Sequence, residues 1–304
     1  MKLPRALLIS IVSLWLNSLH RVAPNRARRQ ALRIFCSPTK RSPPAPRHGP
    51  LLASAERRTM RLPGREENAV VTYRWSSPDA DPAQVRPLVM LAHGWESCVG
   101  RLADWIGPLH AAGYDVVGVD APAHGESEGG ELTAIDYSRA MQMLASREPV
   151  AAVIGHSFGG LCAALAVGAV GLDAPLQAER LVLIAAPLSV QSLTHRYAQI
   201  LSLRPALFED VVSLIEERTG VALECFDAAK ALAGASQSLL VVHDTRDEEV
   251  PYADGEALAS ALGHAELYTT TGLGHRQVAR NSHVIRYVVQ QLQQSKALQA
   301  QASA

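Results

Sequence analysis

The chain has 304 residues, 48% hydrophobic and 19% charged, the composition of an ordinary soluble globular protein able to bury a large core. Its four cysteines (Cys36, Cys98, Cys162, Cys225) are widely spaced and form no CxxC pair, which argues against a disulfide frame or a zinc site and for a reducing, cytoplasmic setting. The formal net charge of zero hides an asymmetry: the first fifty residues hold ten Lys and Arg and no Asp or Glu, so a basic arm is joined to an acidic body.

Within the arm (residues 1–50), "RALLISIVSLWLNSLHRV" is apolar from Ala6 to Leu16, shorter than the roughly 20 residues needed to span a bilayer. It has the length of a signal-peptide core, but "NSLHRVAP" is a poor cleavage site. "NRARRQALRIFC" is basic, with Ala27, Ala31, Leu32 and Phe35 at near-helical spacing. Two readings stay open: amphipathic helices making a peripheral contact with an anionic membrane, or a helical appendage packed on the body. "SPTKRSPPAPRHGP" reads as an extended linker. No aromatic interleaving accompanies the basic residues, so no nucleic-acid partner is expected.

The body, residues 51–304, alternates strand and helix. "RTMRLPGREENAVVTYRW" predicts two strands about a Pro-Gly turn, and "RPLVMLAHG" a buried parallel strand. A helix is expected over Leu102–Ala112, a strand at "YDVVGVDAP", a helix over Thr133–Arg147 and a strand at "PVAAVIGHS". Phe158–Val170 predicts the next helix, "ERLVLIAAP", "QSLLVVHD" and "AELYTTTG" three more strands, and His275 to about Gln294 a closing helix. Such alternation means an α/β fold with a parallel sheet covered on both faces and ligands at the carboxyl ends of its strands. Helical periodicity replaces the alternation over about 188–236, for example at Leu207, Phe208, Val211, Val212 and Ile215, and predicts a small helical cap.

The reactive side chains fall at those strand ends. Gly155, Ser157 and Gly159 in "GHSFGG" match G-x-S-x-G, a sharp strand-to-helix turn that leaves a serine exposed. A serine nucleophile needs a base and the base an orienting carboxylate. "TTTGLGHRQV" offers His275; "VVHDTRDEEVP" offers Asp247, with Asp244 as the alternative acid. Oxyanion donors should be backbone N–H groups, and those of Phe158, just after the serine, and Trp95, in "AHGW", are placed for it.

Taken in order, "LAHGW", "VDAPAHGES", "GHSFGG", "HDTRDEEVP" and "GLGH" resemble the α/β-hydrolase superfamily over about residues 54–294. The resemblance implies the α/β-hydrolase fold, a Ser157–Asp247–His275 triad and an oxyanion hole from the Trp95 and Phe158 amides. "DAPAHGES" is similar to the family's D-x-P/R-G-H-G-x-S loop, with Ala123 where glycine is more usual; Asp120 and His124 are then supporting residues, beside His93, Gly94 and His156. Asp244 stands where glycine is common, which keeps the choice of acid open. A serine at the elbow argues against the dehalogenase and epoxide-hydrolase branches.

The expected function is a serine hydrolase of a carboxylic ester or thioester, with no metal and no organic cofactor. Acyl transfer or peroxide-dependent chemistry on the same triad is the alternative, and a silent, membrane-docked binding protein a further one. The cap's Leu193, Leu201, Leu203, Leu207 and Phe208, with no arginine cluster suited to phosphate, favour a small-molecule ester with an apolar group.

Overall fold

A computed structural model describes residues 4–77 and 86–302; Lys2 of the basic arm lies outside them. Eight strands build one sheet: β1 (Glu56–Leu62), β2 (Arg65–Trp75), β3 (Leu88–Ala92), β4 (Asp115–Val119), β5 (Val150–His156), β6 (Ala178–Ile184), β7 (Ser238–Asp244) and β8 (Ala265–Thr270). Their order across the sheet is β1-β2-β4-β3-β5-β6-β7-β8. The β1–β2 and β2–β4 pairings are antiparallel and all others parallel. In the middle of the sheet the strands are buried on both faces, as their unbroken apolar runs require. β3 sends Leu88, Met90 and Ala92 to one face and Val89 and Leu91 to the other; β5 divides Val153 from Ala152 and Ile154 in the same way.

The helices run α1 (Arg5–Val22), α2 (Pro24–Cys36), α3 (Gly49–Ala53), α4 (Ile106–Ala111), α5 (Ala134–Ala145) and α6 (Phe158–Val167). They continue with α7 (Val190–Ile200), α8 (Pro205–Thr219), α9 (Ala228–Leu232), α10 (Tyr252–Ala261), α11 (Gly274–Gln277) and α12 (Ser282–Ala302). One face of the sheet is covered by α5 and α6 and, beyond them, the arm and the helices inserted between β6 and β7; α4 and α12 cover the other. α5 starts at a capping box in which Thr133 and Asp136 bond each other's backbone N–H. The inserted helices α7–α9 form the predicted cap, tied at its base by Val190 N–H to Phe226 O (2.9 Å) and Ala228 N–H to Leu188 O (2.9 Å).

Three local expectations are corrected. The helix expected over Leu102–Ala112 is a 3-10 turn over Val99–Trp105 that passes into α4, with Gly107 and Pro108 in its first turn, where a missing N–H costs little. The closing helix breaks at Asn281, whose Oδ1 accepts from His283 N–H (2.9 Å) and starts α12 afresh. The extended linker is bound to the body along its length. Thr39 N–H donates to Glu96 (2.8 Å), Arg41 to the carbonyls of Ser127 (2.6 Å) and Gly129 (2.7 Å), and Arg47 and His48 meet Asp104 at 3.0 and 2.9 Å.

The arm packs on the cap. Leu16, Ala27, Ala31 and Leu32 are buried in the core with Leu207 and Val211 of α8. Tyr197 OH donates to Ala31 O (2.7 Å), Asn17 bridges Ser202 O and Arg204 N–H (3.0 and 2.9 Å), and His20 meets Asp210 (2.8 Å). No helix among the described residues is long and apolar enough to cross a membrane.

Candidate active site

At the carboxyl end of β5 the chain turns within one residue. Ser157 takes φ 54° and ψ −127°, a conformation costly for a residue with a side chain. Its N–H still pairs with Ile184 O (2.8 Å), while its carbonyl accepts from Gly160 and Leu161 (2.9 and 3.2 Å) and so opens α6. The corner is tight enough that a Cβ on Gly159 would lie 2.4 Å from His93 O. Glycine is therefore a steric requirement, and the serine is left facing outward.

Three side chains from three strand ends meet there. His275 Nε2 lies 2.9 Å from Ser157 Oγ, and His275 Nδ1 lies 2.8 Å from Asp247 Oδ2. The other oxygen of Asp247 accepts from the N–H groups of Glu249 and Val250, both at 2.8 Å, which fixes the carboxylate plane. Burial pushes the Asp247 carboxyl up, but hydrogen bonds from His243, His275 and Val250 outweigh it and hold the group well below the usual carboxylate range. Its side chain is fully buried, so the acid is a fixed negative charge behind the imidazole.

Asp244 is not in this line. Its oxygens accept from Arg246 N–H (2.9 Å), Thr270 Oγ1 (2.8 Å), Gly272 N–H (3.2 Å) and Leu273 N–H (2.9 Å). Burial raises its carboxyl and the Leu273 amide and its neighbours lower it, with a net downward shift. It ties the β7 end to the loop that carries His275.

Beside the serine runs the "AHGW" loop after β3. A Cβ on Gly94 would lie 2.9 Å from Ser157 Cβ, so this backbone passes directly against the serine one residue before Trp95. Phe158 is the first residue of α6, where an N–H has no acceptor within the helix. The Trp95 and Phe158 rings meet edge to face at 5.6 Å.

A model of the alpha/beta hydrolase family matches residues 88–285, which span β3 to the start of α12 and contain all of these side chains. The chain belongs to the alpha/beta hydrolase family. Solved structures agree on the fold. An esterase from Pyrococcus furiosus is 15% identical, covering 85% of this chain and 96% of its own, with a TM-score of 0.60. An esterase from Thermogutta terrifontis is 16% identical, covering 82% and 93%, with a TM-score of 0.58. The thioesterase domain of a curacin biosynthetic pathway is 16% identical, covering 78% and 98%, with a TM-score of 0.54. No curated protein matches this sequence.

In this alpha/beta hydrolase the remaining predicted residues form a buried scaffold under the site. Asp120 accepts from Val99 N–H (2.8 Å), Glu126 N–H (2.9 Å) and Tyr73 OH (3.2 Å), closing the loop of "DAPAHGES" on itself. Ala123 there has φ 62°, the left-handed conformation that explains why glycine is usual at its position. His93 Nε2 accepts from Ala121 N–H (3.0 Å), so its Nδ1 carries the proton shared with Gly94 O (2.8 Å). His124 lies against the Trp95 ring at 5.1 Å, with its Nδ1 2.9 Å from Pro122 O. His156 Nε2 donates to the backbone carbonyl of His275 (2.9 Å) and so holds the loop that carries it. Burial drives His93 and His124 down to about 4 and His156 to about 3, so all three are neutral supports.

Two partners were not predicted. His243, buried at the β7 end, places Nε2 3.4 Å from Asp247 Oδ2 and 3.2 Å from Val250 O. Tyr137 of α5 donates its hydroxyl to His93 O (3.2 Å) from beneath the Gly94 loop. A histidine inside the apolar run "SLLVVHD" was the available signal for the first; nothing in the sequence marks the second.

Ser157 and His275 open into a cavity of about 1180 Å³. Its walls are the cap (Val190, Leu193, Tyr197, Ile200, Leu201) and the arm (Leu8, Ile9, Leu32, Ile34, Phe35). Leu203, Leu207 and Phe208, expected to face substrate, are elsewhere; Leu207 is core and Phe208 packs on His195. Arg101, Arg196, Arg218, Arg276 and Arg280 also line the cavity, from separate elements. Arg218 is bound by Glu131 and Arg276 by Glu249, and Arg196 donates to Glu248 O. Cys36 also lines the cavity, and burial pushes its thiol up to about 12.

Proposed function

We propose that this protein is a serine hydrolase of carboxylic esters or thioesters that works through an acyl-enzyme on Ser157. The observation that carries the proposal is the continuous chain from Ser157 Oγ to His275 (2.9 Å) to Asp247 (2.8 Å) at the end of a strained strand–helix corner. His275 Nε2 takes the Ser157 hydroxyl proton as Oγ attacks the substrate carbonyl. The oxyanion forms against the N–H groups of Trp95 and Phe158, and the α6 N-terminus adds positive potential. His275 then protonates the leaving alcohol or thiol, and water, activated by the same imidazole, frees the acid. Asp247, ionised throughout, holds the imidazole tautomer that receives the proton.

The apolar side chains from the cap and arm favour an aliphatic or aromatic acyl or alcohol group. Esterases and a thioesterase among the proteins sharing this fold agree with that range of carbonyl substrates. The test is labelling by a fluorophosphonate probe together with cleavage of p-nitrophenyl esters. Ser157→Ala should abolish labelling and lower turnover by roughly 10⁴-fold or more. Retained turnover in that variant overturns the proposal, and no labelling of well-folded protein favours a silent binding protein. Acyl transfer or peroxide-dependent chemistry would use the same three residues; added alcohols or peroxide as competing acceptors separate them by product.

A further inference from the structure

Helix α1 has two unlike faces. Leu16, fully buried, and the partly buried Ile9 and Leu19 turn toward the core, with Asn17 and His20 bound to the cap. The opposite face exposes Leu7, Leu8, Ile11, Leu14, Trp15 and Val22, with Leu14 71% and Val22 82% exposed. Their spacing puts all six on one stripe along the helix. These are the exposed large apolar side chains of the described molecule, apart from Ile200. Five turns of helix carrying such a stripe into water is unfavourable unless something covers it.

Charge and geometry say what. The chain has no Asp or Glu before Glu56, so α1 and α2 carry cations and no acid of their own. Arg21, at the end of α1, and Arg26 and Arg29, on α2, are exposed and pair with no acid among the described residues. An apolar stripe edged by guanidinium groups is complementary to an anionic bilayer surface, with hydrocarbon beneath and phosphates at the level of the arginines. The helix is too short and polar to cross a membrane, which leaves it lying on one. At the outer rim of the catalytic cavity are Leu8, from the stripe, and Ile200, both about half exposed.

We infer that α1 docks this enzyme on an anionic lipid bilayer, and that the cavity takes apolar acyl esters directly from that surface. The second clause rests on Ser157 being the nucleophile; the first does not. Docking puts the stripe at the boundary between headgroups and acyl chains, and the Leu8–Ile200 rim then opens at that boundary. Such a substrate would move from one apolar medium to another without crossing water.

Sedimentation of the full chain with vesicles tests the docking. Wild type should pellet with phosphatidylcholine vesicles containing phosphatidylglycerol, less with phosphatidylcholine alone, and less as salt rises. The double variant Ile11→Asp, Leu14→Asp changes only exposed positions that do not line the cavity. It should bind about tenfold or more weakly, with unchanged thermal unfolding and unchanged cleavage of soluble p-nitrophenyl acetate. Ser157→Ala should sediment as wild type, so loss of the hydrolytic reading would leave the docking result standing. Wild type remaining in the supernatant, or a double variant that pellets equally, overturns the docking. A wild-type dimer that the double variant converts to monomer, without vesicle binding, overturns it in favour of a second copy of this chain. Delivery from the bilayer is overturned if the double variant hydrolyses a vesicle-embedded long-chain ester as fast as wild type.

Discussion

His243 and His275 converge on one oxygen of Asp247: His275 Nδ1 lies 2.8 Å and His243 Nε2 3.4 Å from Oδ2. The second imidazole is wholly buried, and Gly255 of α10 lies over its Nδ1, where a Cβ would come within 2.6 Å. Pinned in this way, His243 can only present Nε2 to the carboxylate and to Val250 O. It is a positioning residue for the acid.

His243→Phe should therefore lower kcat on soluble esters by roughly tenfold while leaving KM nearly unchanged, since Asp247 loses a donor and not a substrate contact. His243→Gln, which keeps an N–H donor, should recover part of the loss. Wild-type kcat in the Phe variant would remove the role.

The two aspartates of the β7 loop should separate cleanly. Asp247→Asn should lower kcat by roughly 10⁴-fold, because the amide stabilises the wrong imidazole tautomer. Asp244→Asn should lower the melting temperature by several degrees, about 1–3 kcal/mol from its four donors, and lower kcat far less. Thermal unfolding and steady-state kinetics on both variants decide it.

Gly94→Ala places a methyl group 2.9 Å from Ser157 Cβ. The loop has to retreat, carrying Trp95 with it, and if its amide is the oxyanion donor of the proposed mechanism kcat should fall by roughly 10²-fold. The rate of fluorophosphonate labelling should fall in parallel.

Acid stability should reflect the buried histidines. His93 and His124 are held neutral down to about 4 and His156 to about 3, whereas in the unfolded chain each protonates near 6.5. The unfolded state thus binds more protons throughout that window. The stability they contribute is complete above about pH 6.5 and is lost as pH falls toward 4. Urea unfolding should show a midpoint that drops between pH 7 and pH 5, before most carboxylates titrate. A flat midpoint over that range would contradict the burial of these rings.

Shortening the cavity wall offers a test of the arm's part in recognition. Phe35→Ala removes a ring that is tilted against Tyr197 (centroids 5.1 Å apart) and lines the cavity. KM for long-chain p-nitrophenyl esters should rise by roughly tenfold, and that for the acetate should not.

Much of this was readable from residues whose signal is local. The strands announced themselves because both faces are buried and the apolar runs are continuous, and the Ser157 corner because its glycines answer to sterics within a few residues. His275 and an aspartate on the β7 loop followed from their place after later strands. The choice between Asp244 and Asp247 was not readable: both sit on one tight loop, and only its fold decides which carboxylate faces the imidazole. Tyr137 acts through a contact 44 residues away, which no local pattern encodes. The docking of residues 1–50 was equally hidden, since α1 meets the cap through Asn17 and Ser202, 185 positions apart.

That long separation bears on how the chain is made. Leu16, Ala27, Ala31 and Leu32 are synthesised well before α7 and α8, whose surfaces bury them and emerge only after most of the sheet. Until then the arm has no native partner for its apolar face. The N-terminus is therefore among the last parts to reach its native place, and closing that loop completes the cavity wall as well as the core. A nascent chain with Ser157, His275 and Asp247 already aligned would still lack the cavity into which they open.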